Sequence, residues 1–359
     1  MKEKQNIYNN PINEDLEHII AHTKGLWEEL RDQKVFITGG TGFFGCWFLE
    51  SFARANEELN LNSSMLVLTR DIESFRNKAP HLANLPFISF HHGDVRSFDF
   101  PEGNFSYIIH AAASLNSLQD GKDSLEVFDI TVEGTRHVLE FARQCKVKKL
   151  LLVSSGAIYG RQSPQTDRIG EDYQGAPDPV DWHSAYGEGK RSAELLTVAY
   201  ARQYGFEAKI PRCFAFAGPY QRLDGQWAIG NFIRDGLNGG PIVVKGDGTA
   251  VRSYLYASDL MIFLWTIFFK GKSCRPYNVG SEEEINIHSL AQLISSVFKI
   301  KKDVVISKKP DINAATDRYV PSIKRLREDL NLNQLINLHD AIKKTIKYIN
   351  FKEGSINNE

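Results

Sequence analysis

From residue 34 onward, short runs of β-branched and apolar residues alternate with longer stretches whose apolar positions recur every three or four residues. Lys34–Thr38, Met65–Thr69, Phe87–Phe90, Tyr107–Ala111 and Lys149–Ser154 read as strands. Between them the clearest helical pattern is Ser124–Gln144, with Leu125, Phe128, Val132, Val138, Leu139 and Phe141 at helical spacing. Such alternation predicts an α/β fold, a doubly wound parallel sheet of Rossmann type with helices on both faces. Residues 1–33 are polar, but Leu16, Ile19, Ile20, Leu26 and Leu30 predict one or two helices lying against the body. After about residue 212 the rhythm breaks into glycine-rich connections, a strand pair around Ile242–Lys245 and Arg252–Tyr256, and several helices. That predicts a smaller C-terminal α/β lobe on the carboxyl edge of the sheet. The expected division is a helical extension at 1–33, a first domain at 34–212, a lobe at 213–350 partly interleaved with the sheet, and a frayed tail at 351–359.

At 359 residues the chain has ample apolar content for a core, and its net charge of −1 offers no footprint for nucleic acid or an anionic membrane. Any anionic ligand must be met by locally placed groups. Its longest apolar run, Leu260–Phe269, is half of the roughly 20 residues that span a bilayer, so it reads as a buried helix. Cys46, Cys145, Cys213 and Cys274 show neither disulfide nor metal-ligand spacing, and no metal is expected. With an N-terminus lacking an apolar signal core, the expected location is cytoplasmic.

Val35–Gly45, VFITGGTGFFG, ends a strand pattern in three glycines and leads into a helical one. A loop that passes its backbone close to a pyrophosphate cannot carry β-carbons there, and the following helix offers unpaired N–H groups and a positive dipole end. Gly39, Gly42 and Gly45 meet that need with G-x-x-G-x-x-G spacing, and a plain turn is the alternative. The second strand ends in Arg70-Asp71: Asp71 suits the ribose 2′-OH of NAD, Arg70 the 2′-phosphate of NADP. Tyr186 and Lys190 stand one helical turn apart at the start of a helical stretch, Ser184–Tyr204, after a strand ending in Ser154-Ser155. A tyrosine acts as a base near neutral pH only as phenolate, which a nearby ammonium favours.

TGGTGFFG, HHGDV, HAAA, SSGAIYG, YGEGK and GDGTAVRSYLYASDL follow in the order seen in extended short-chain dehydrogenase/reductases. Over roughly residues 33–350 the chain resembles their nucleotide-sugar epimerase/dehydratase family. The resemblance implies Ser155, Tyr186 and Lys190 as catalytic residues. It implies a dinucleotide site built from Gly39, Thr41, Gly42, Phe43, Phe44, Gly45, Arg70, Asp94, Val95 and Ala111–Ala113, with Tyr186 and Lys190 shared. The implied cofactor is NAD or NADP, with NAD preferred. Arg252 matches a pyrophosphate-binding arginine, Asn231 resembles an asparagine that contacts the nucleotide, and Arg318 is a second clamp, so the implied partner is a nucleotide-diphosphate sugar. Ser155 would bond the sugar C4 oxygen.

Two departures matter. Dehydratases of this family carry an acidic pair after the serine and uronate decarboxylases a glutamate, whereas this chain has Gly156 and Ala157. Where many relatives have R-x-F-N, it has Arg212-Cys213-Phe214-Ala215. The first departure argues against elimination and leaves a C4 epimerase as the leading expectation. A 4-keto-6-deoxysugar reductase is the alternative, with a 4,6-dehydratase or a non-catalytic dinucleotide sensor behind it. His183, just before the helix, is either a sugar contact or a loop histidine bonded to its own surroundings. Family members commonly dimerise through helices corresponding to Ser124–Gln144 and Ser184–Tyr204, which implies a homodimer.

Overall fold

The computed structural model describes residues 10–113, 124–225, 227–299, 301–311 and 315–356. Its main sheet contains β1 (Lys34–Thr38), β2 (Ser64–Thr69), β3 (Ile88–His92), β4 (Tyr107–His110), β5 (Lys149–Leu152), β6 (Ser154–Ser155) and β7 (Glu207–Cys213), with Arg275–Val279 at one edge. The order is 3-2-1-4-5-7 followed by Arg275–Val279, with β6 also on β7, and all of these pairs are parallel. Order reverses between β1 and β4, so their carboxyl ends splay open a crevice, the standard ligand position in such sheets.

The central strands are buried on both faces, which is why they read as continuous apolar runs. Their alternate residues feed two cores. Phe36, Ile108, Leu150 and Leu152 pack towards the helices Ser124–Cys145 and Ala185–Tyr204. Val35, Ile37, Tyr107, Ile109 and Leu151 pack towards the helices Phe43–Glu58 and Ala257–Lys270. Ala257–Phe269 is buried along its whole length, which fits a helix apolar on every side. The helix Ile12–Thr23 and the turn Trp27–Leu30 cover it: Trp27 meets Trp265 at 4.5 Å between ring centres, and both indoles donate to hydroxyls, Trp27 to Thr23 (2.9 Å) and Trp265 to Ser51 (2.8 Å). Without that cover a large aromatic face would meet water.

A third core, around Ile229, Phe232, Ile242, Tyr254, Leu290 and Ile342, belongs to the region after residue 212. Here the sequence reading needs correction. The expected strand pair does not form: Ile242–Val244 pairs with Val304–Ile306, Val251–Ser253 with Glu284–Asn286 and Arg318–Tyr319, and Leu255–Tyr256 with Phe216–Ala217. Each partner is distant in the chain, so local pattern could not select it. Lys149–Ser154 is broken at Val153, where pairing steps from β4 to the far half of β7. The tail expected at 351–359 is helical as far as Ile356, within Leu338–Ile356. No helix among the described residues is long and apolar enough to cross a membrane.

Candidate active site

The glycine turn sits at the switch point between β1 and β4. Gly39 has φ +70°, and a Cβ on it would lie 2.6 Å from the Ala111 carbonyl group and the Ala112 nitrogen. A Cβ on Gly45 would lie 2.3 Å from the Gly39 oxygen and from Gly40. These two glycines keep the turn tight against the end of β4. Gly42 differs: a Cβ there meets nothing nearer than 3.5 Å, and the residue faces the crevice as N-cap of Phe43–Glu58. Gly45, expected among the cofactor-binding residues, is therefore a packing glycine beneath the loop and does not line the crevice.

A cavity of about 1160 Å³ opens from this turn. Arg70, Asp71, Ser74 and Lys78 form one end; Asp94, Val95 and Ala111–Ala113 line its middle; Ser155, Tyr186 and Lys190 stand beyond, and Arg252, Arg318 and Tyr319 close the far end. That volume exceeds the roughly 300–1,000 Å³ of a site for one small ligand. The side-chain-free approach at Gly42, followed by the N-terminus of a 16-residue helix, suits a pyrophosphate, so the residues present fit the dinucleotide implied by the sequence.

His110, beneath the Ala111–Ala113 floor, is fully enclosed. Thr135 donates its hydroxyl to the Thr131 carbonyl, so it accepts from His110 Nε2 at 3.0 Å; His110 Nδ1 then accepts from Thr38 Oγ1 at 2.7 Å, which itself accepts from the Ala112 N–H. Burial, with Lys190 adding to it, pushes the imidazole down to about 3, so it stays neutral and braces the floor.

Ser155 is placed by β6. Ser154, in the cavity wall, donates to Glu194 Oε1 (2.5 Å); behind it Glu194 is paired with Arg212 (2.8 Å), and Arg212 donates to the Tyr159 hydroxyl (2.8 Å). Ser155 Oγ accepts from Ala157 N–H at 3.1 Å and lines the same cavity as Tyr186. Burial raises the Tyr186 phenol to about 12 against the opposing pull of the Ser155 hydroxyl. The Lys190 ammonium donates to the Val153 carbonyl at 2.8 Å and lies 5.9 Å from the Tyr186 ring centre; burial lowers it to about 8. Tyr186 and Lys190, picked from spacing, and Ser155, implied by the family resemblance, thus line one cavity.

Other expected residues divide. Thr41, Phe43, Phe44, Arg70, Asp94, Val95 and Ala111–Ala113 line the cavity. Asp94 is engaged by Arg96 at 2.8 Å, which holds its carboxyl below the usual range. One Asp71 oxygen caps Ile72–Lys78 by accepting from Ser74 N–H (2.8 Å). Arg252 is paired with Asp317 at 2.6 Å and Arg318 with Glu284 at 2.5 Å, while Arg318 Nε is buried with no hydrogen-bond partner among the described residues. Asn231 lies in an adjoining cleft of about 590 Å³, donating to the Gly225 carbonyl at 2.9 Å. His183 is exposed, bonded to Asp181 (2.7 Å) and stacked on Trp182, away from the cavity.

Sequence reasoning missed Tyr319 and Phe214. A Cβ on Gly156 would lie 2.6 Å from the Tyr319 hydroxyl and 2.8 Å from Phe214 Cζ, so these rings fill the place where residue 156 would project a side chain. The only sequence signal was the absence of a side chain at 156.

An open all-parallel sheet with a glycine turn at its switch point defines a Rossmann-type dinucleotide fold. The model of the NAD dependent epimerase/dehydratase family matches residues 35–280, and the chain belongs to that family of nucleotide-sugar-modifying enzymes. It is 26% identical over 328 residues to UDP-glucuronic acid decarboxylase 1 of Danio rerio, covering 91% of this chain and 75% of the relative. It is 29% identical over 316 residues to UDP-glucuronic acid decarboxylase 6 of Arabidopsis thaliana, covering 84% and 88%. Among solved structures, UDP-glucose 4-epimerase of Thermotoga maritima with UDP-glucose aligns at TM-score 0.73 and 20% identity, covering 89% of this chain and 100% of that one. UDP-glucuronic acid 4-epimerase of Bacillus cereus with NAD aligns at 0.74 and 22%, covering 89% and 98%. At those identities the structural likeness is one of fold.

Proposed function

We propose that the chain is an NAD(P)-dependent C4 epimerase of a nucleotide-activated hexose or hexuronate. The observation that carries this reading is the pairing of Ser155, Tyr186 and Lys190 with a side-chain-free Gly156 whose space is filled by Tyr319 and Phe214. Neither residue that follows the serine, Gly156 or Ala157, carries a carboxylate to assist elimination or loss of carbon dioxide. The relatives' names support the substrate class: UDP-glucuronic acid for the decarboxylases, UDP-glucose and UDP-glucuronic acid for the epimerases.

In this reading Tyr186 as phenolate takes the proton of the sugar C4 hydroxyl, Ser155 holds the oxygen, and Lys190 stabilises the phenolate. A bound nicotinamide dinucleotide supplies the hydride acceptor and donor. Tyr186 returns the proton once the 4-keto sugar presents its other face. Arg252 and Arg318, with the buried Nε of the latter, meet the diphosphate.

A 4-ketoreductase is the second reading, and the cations at the adenosine end favour it. Arg70 and Lys78 line that end and suit a 2′-phosphate, whereas the Asp71 oxygen left outside its capping bond suits NAD, the primary assignment. Two further parts of the proposal are a homodimer, supported by Leu125 and Leu195 standing 82% and 71% exposed on the helix pair, and a cytoplasmic location, supported by four free thiols.

Proton NMR in D₂O with UDP-, dTDP-, GDP- and CDP-hexoses tests the function. The expected result is a C4 epimer with no solvent deuterium on carbon and no net change at 340 nm. Stoichiometric NADPH oxidation by a 4-keto-6-deoxy sugar nucleotide establishes the reductase instead. A stable 4-keto-6-deoxy product or released carbon dioxide overturns both.

A further inference from the structure

Tyr319 comes from the two-residue strand Arg318–Tyr319, 164 positions beyond Ser155. Its backbone is pinned on both sides: Arg252 stands opposite it in the ladder, Val320 N–H donates to Gln162 (3.2 Å), and Ile169 N–H to the Val320 carbonyl (2.8 Å). Its ring lies on Phe214, 4.6 Å between centres. These contacts set the hydroxyl against Gly156, 2.6 Å from where a side chain there would begin and so beside Ser155. Burial raises this phenol well out of the physiological range, so it remains a donor.

A serine hydroxyl has one hydrogen and two acceptor lone pairs. Ala157 N–H occupies one lone pair of Ser155 at 3.1 Å. We infer that Tyr319 is a positioning residue whose O–H occupies the other, so that the Ser155 hydrogen is left only the direction of Tyr186 and the sugar C4 oxygen. Both acceptor sites are then filled by protein donors, and the serine enters the reaction already oriented, polarised by a donor in a shielded site. In relatives of this family that position beside the serine can carry an acid; here a neutral phenol from a remote strand takes the space and acts through the serine.

This rests on the reading of Ser155 and Tyr186 above, and the test separates the two. Ser155→Ala, Tyr319→Phe and the double variant are compared, first by denaturant unfolding of the ligand-free chain, then with whichever UDP-, dTDP-, GDP- or CDP-hexose the NMR screen finds converted. In unfolding, the double variant is expected to lose less than the two single losses combined, the signature of a direct bond. In turnover, Tyr319→Phe is expected to lower kcat about tenfold, the usual worth of one such bond, with KM within about twofold. Its pH midpoint should rise towards the alkaline side, and Tyr319→Phe should have no further effect once Ser155 is Ala. Additive unfolding losses, or Tyr319→Phe with unchanged kcat and pH profile beside an impaired Ser155→Ala, overturn the inference alone. Full activity in Ser155→Ala, or no conversion of any sugar nucleotide, overturns the active-site reading beneath it.

Discussion

Lys190→Met isolates the electrostatic part of the proposed chemistry. In the wild-type chain the ammonium lies 5.9 Å from the Tyr186 ring centre, in a buried setting. Taking that distance as the charge separation and an effective dielectric of about 20, the attraction between ammonium and phenolate is about 3 kcal/mol. This corresponds to about two pH units in the Tyr186 midpoint. Burial already raises that phenol to about 12, so removing the ammonium leaves about one-hundredth of the phenolate at any pH well below the midpoint. The coupling is reciprocal: as the phenol ionises, the lysine, lowered to about 8 by burial, holds its proton more tightly, and the two titrate as one pair.

The assay is kcat/KM against pH from about 6 to 10, per folded molecule. The correction for folding is needed because Lys190→Met also strips the Val153 carbonyl of its 2.8 Å donor, a stability cost of about 1–3 kcal/mol. The expected result is a fall of about 100-fold at neutral pH, easing above about pH 8, where the wild-type lysine itself gives up its proton. Lys190→Arg keeps the charge and should lose much less than Lys190→Met at neutral pH. A loss equal at every pH in this window, or as large in Lys190→Arg as in Lys190→Met, would refute the electrostatic role and leave Lys190 as a structural or ribose-holding group.

Further predictions concern the frame of the site. His110, held near 3 when folded against an ordinary 6.5, takes up a proton on unfolding throughout that window; lowering pH through it therefore favours unfolding, by up to about 1.4 kcal/mol per pH unit, and His110→Gln should flatten the acid limb of the urea midpoint by about one proton. Gly45→Ala puts a methyl 2.3 Å from backbone and should cost about 3 kcal/mol in unfolding measurements, whereas Gly42→Ala, with 3.5 Å of clearance, should melt like wild type yet bind NADH more weakly by fluorescence titration. Leu125→Asp with Leu195→Asp should halve the mass seen by light scattering at micromolar concentration, with cofactor binding intact.

The fold was legible where one strand's pattern sufficed. β1, β4 and β5 are apolar on both faces because helices cover both, and the chain writes that as unbroken runs such as Val35–Ile37 and Leu150–Leu152. Pairing in the C-terminal region was not legible. Val251–Ser253 chooses partners 31 or more residues later, and a three-residue strand carries too little pattern to name them. The N-terminal helix was visible from Leu16, Ile19 and Ile20, but not its purpose: its cover over Trp265 and the bond from Tyr256 to Asp15 (2.6 Å) depend on a helix more than 200 residues away.

The site shows the same division with a chemical consequence. Tyr186 and Lys190 stand one turn apart on one helix, so their spacing encodes their meeting, whereas Ser155, on β6, was identified from the family resemblance. Gly156 could be read only as a missing acid, because its neighbour in space arrives from Arg318–Tyr319. A vacancy beside a catalytic serine admits two structures, a gap open to water or a slot filled from elsewhere, and they differ in chemistry. Water in the gap would give the serine hydroxyl a second, rotating partner and the sugar intermediate a proton source. Two packed rings fill the gap, and in the proposed reading that leaves the proton at C4 to Tyr186, the condition under which oxidation there is reversed rather than carried on to elimination.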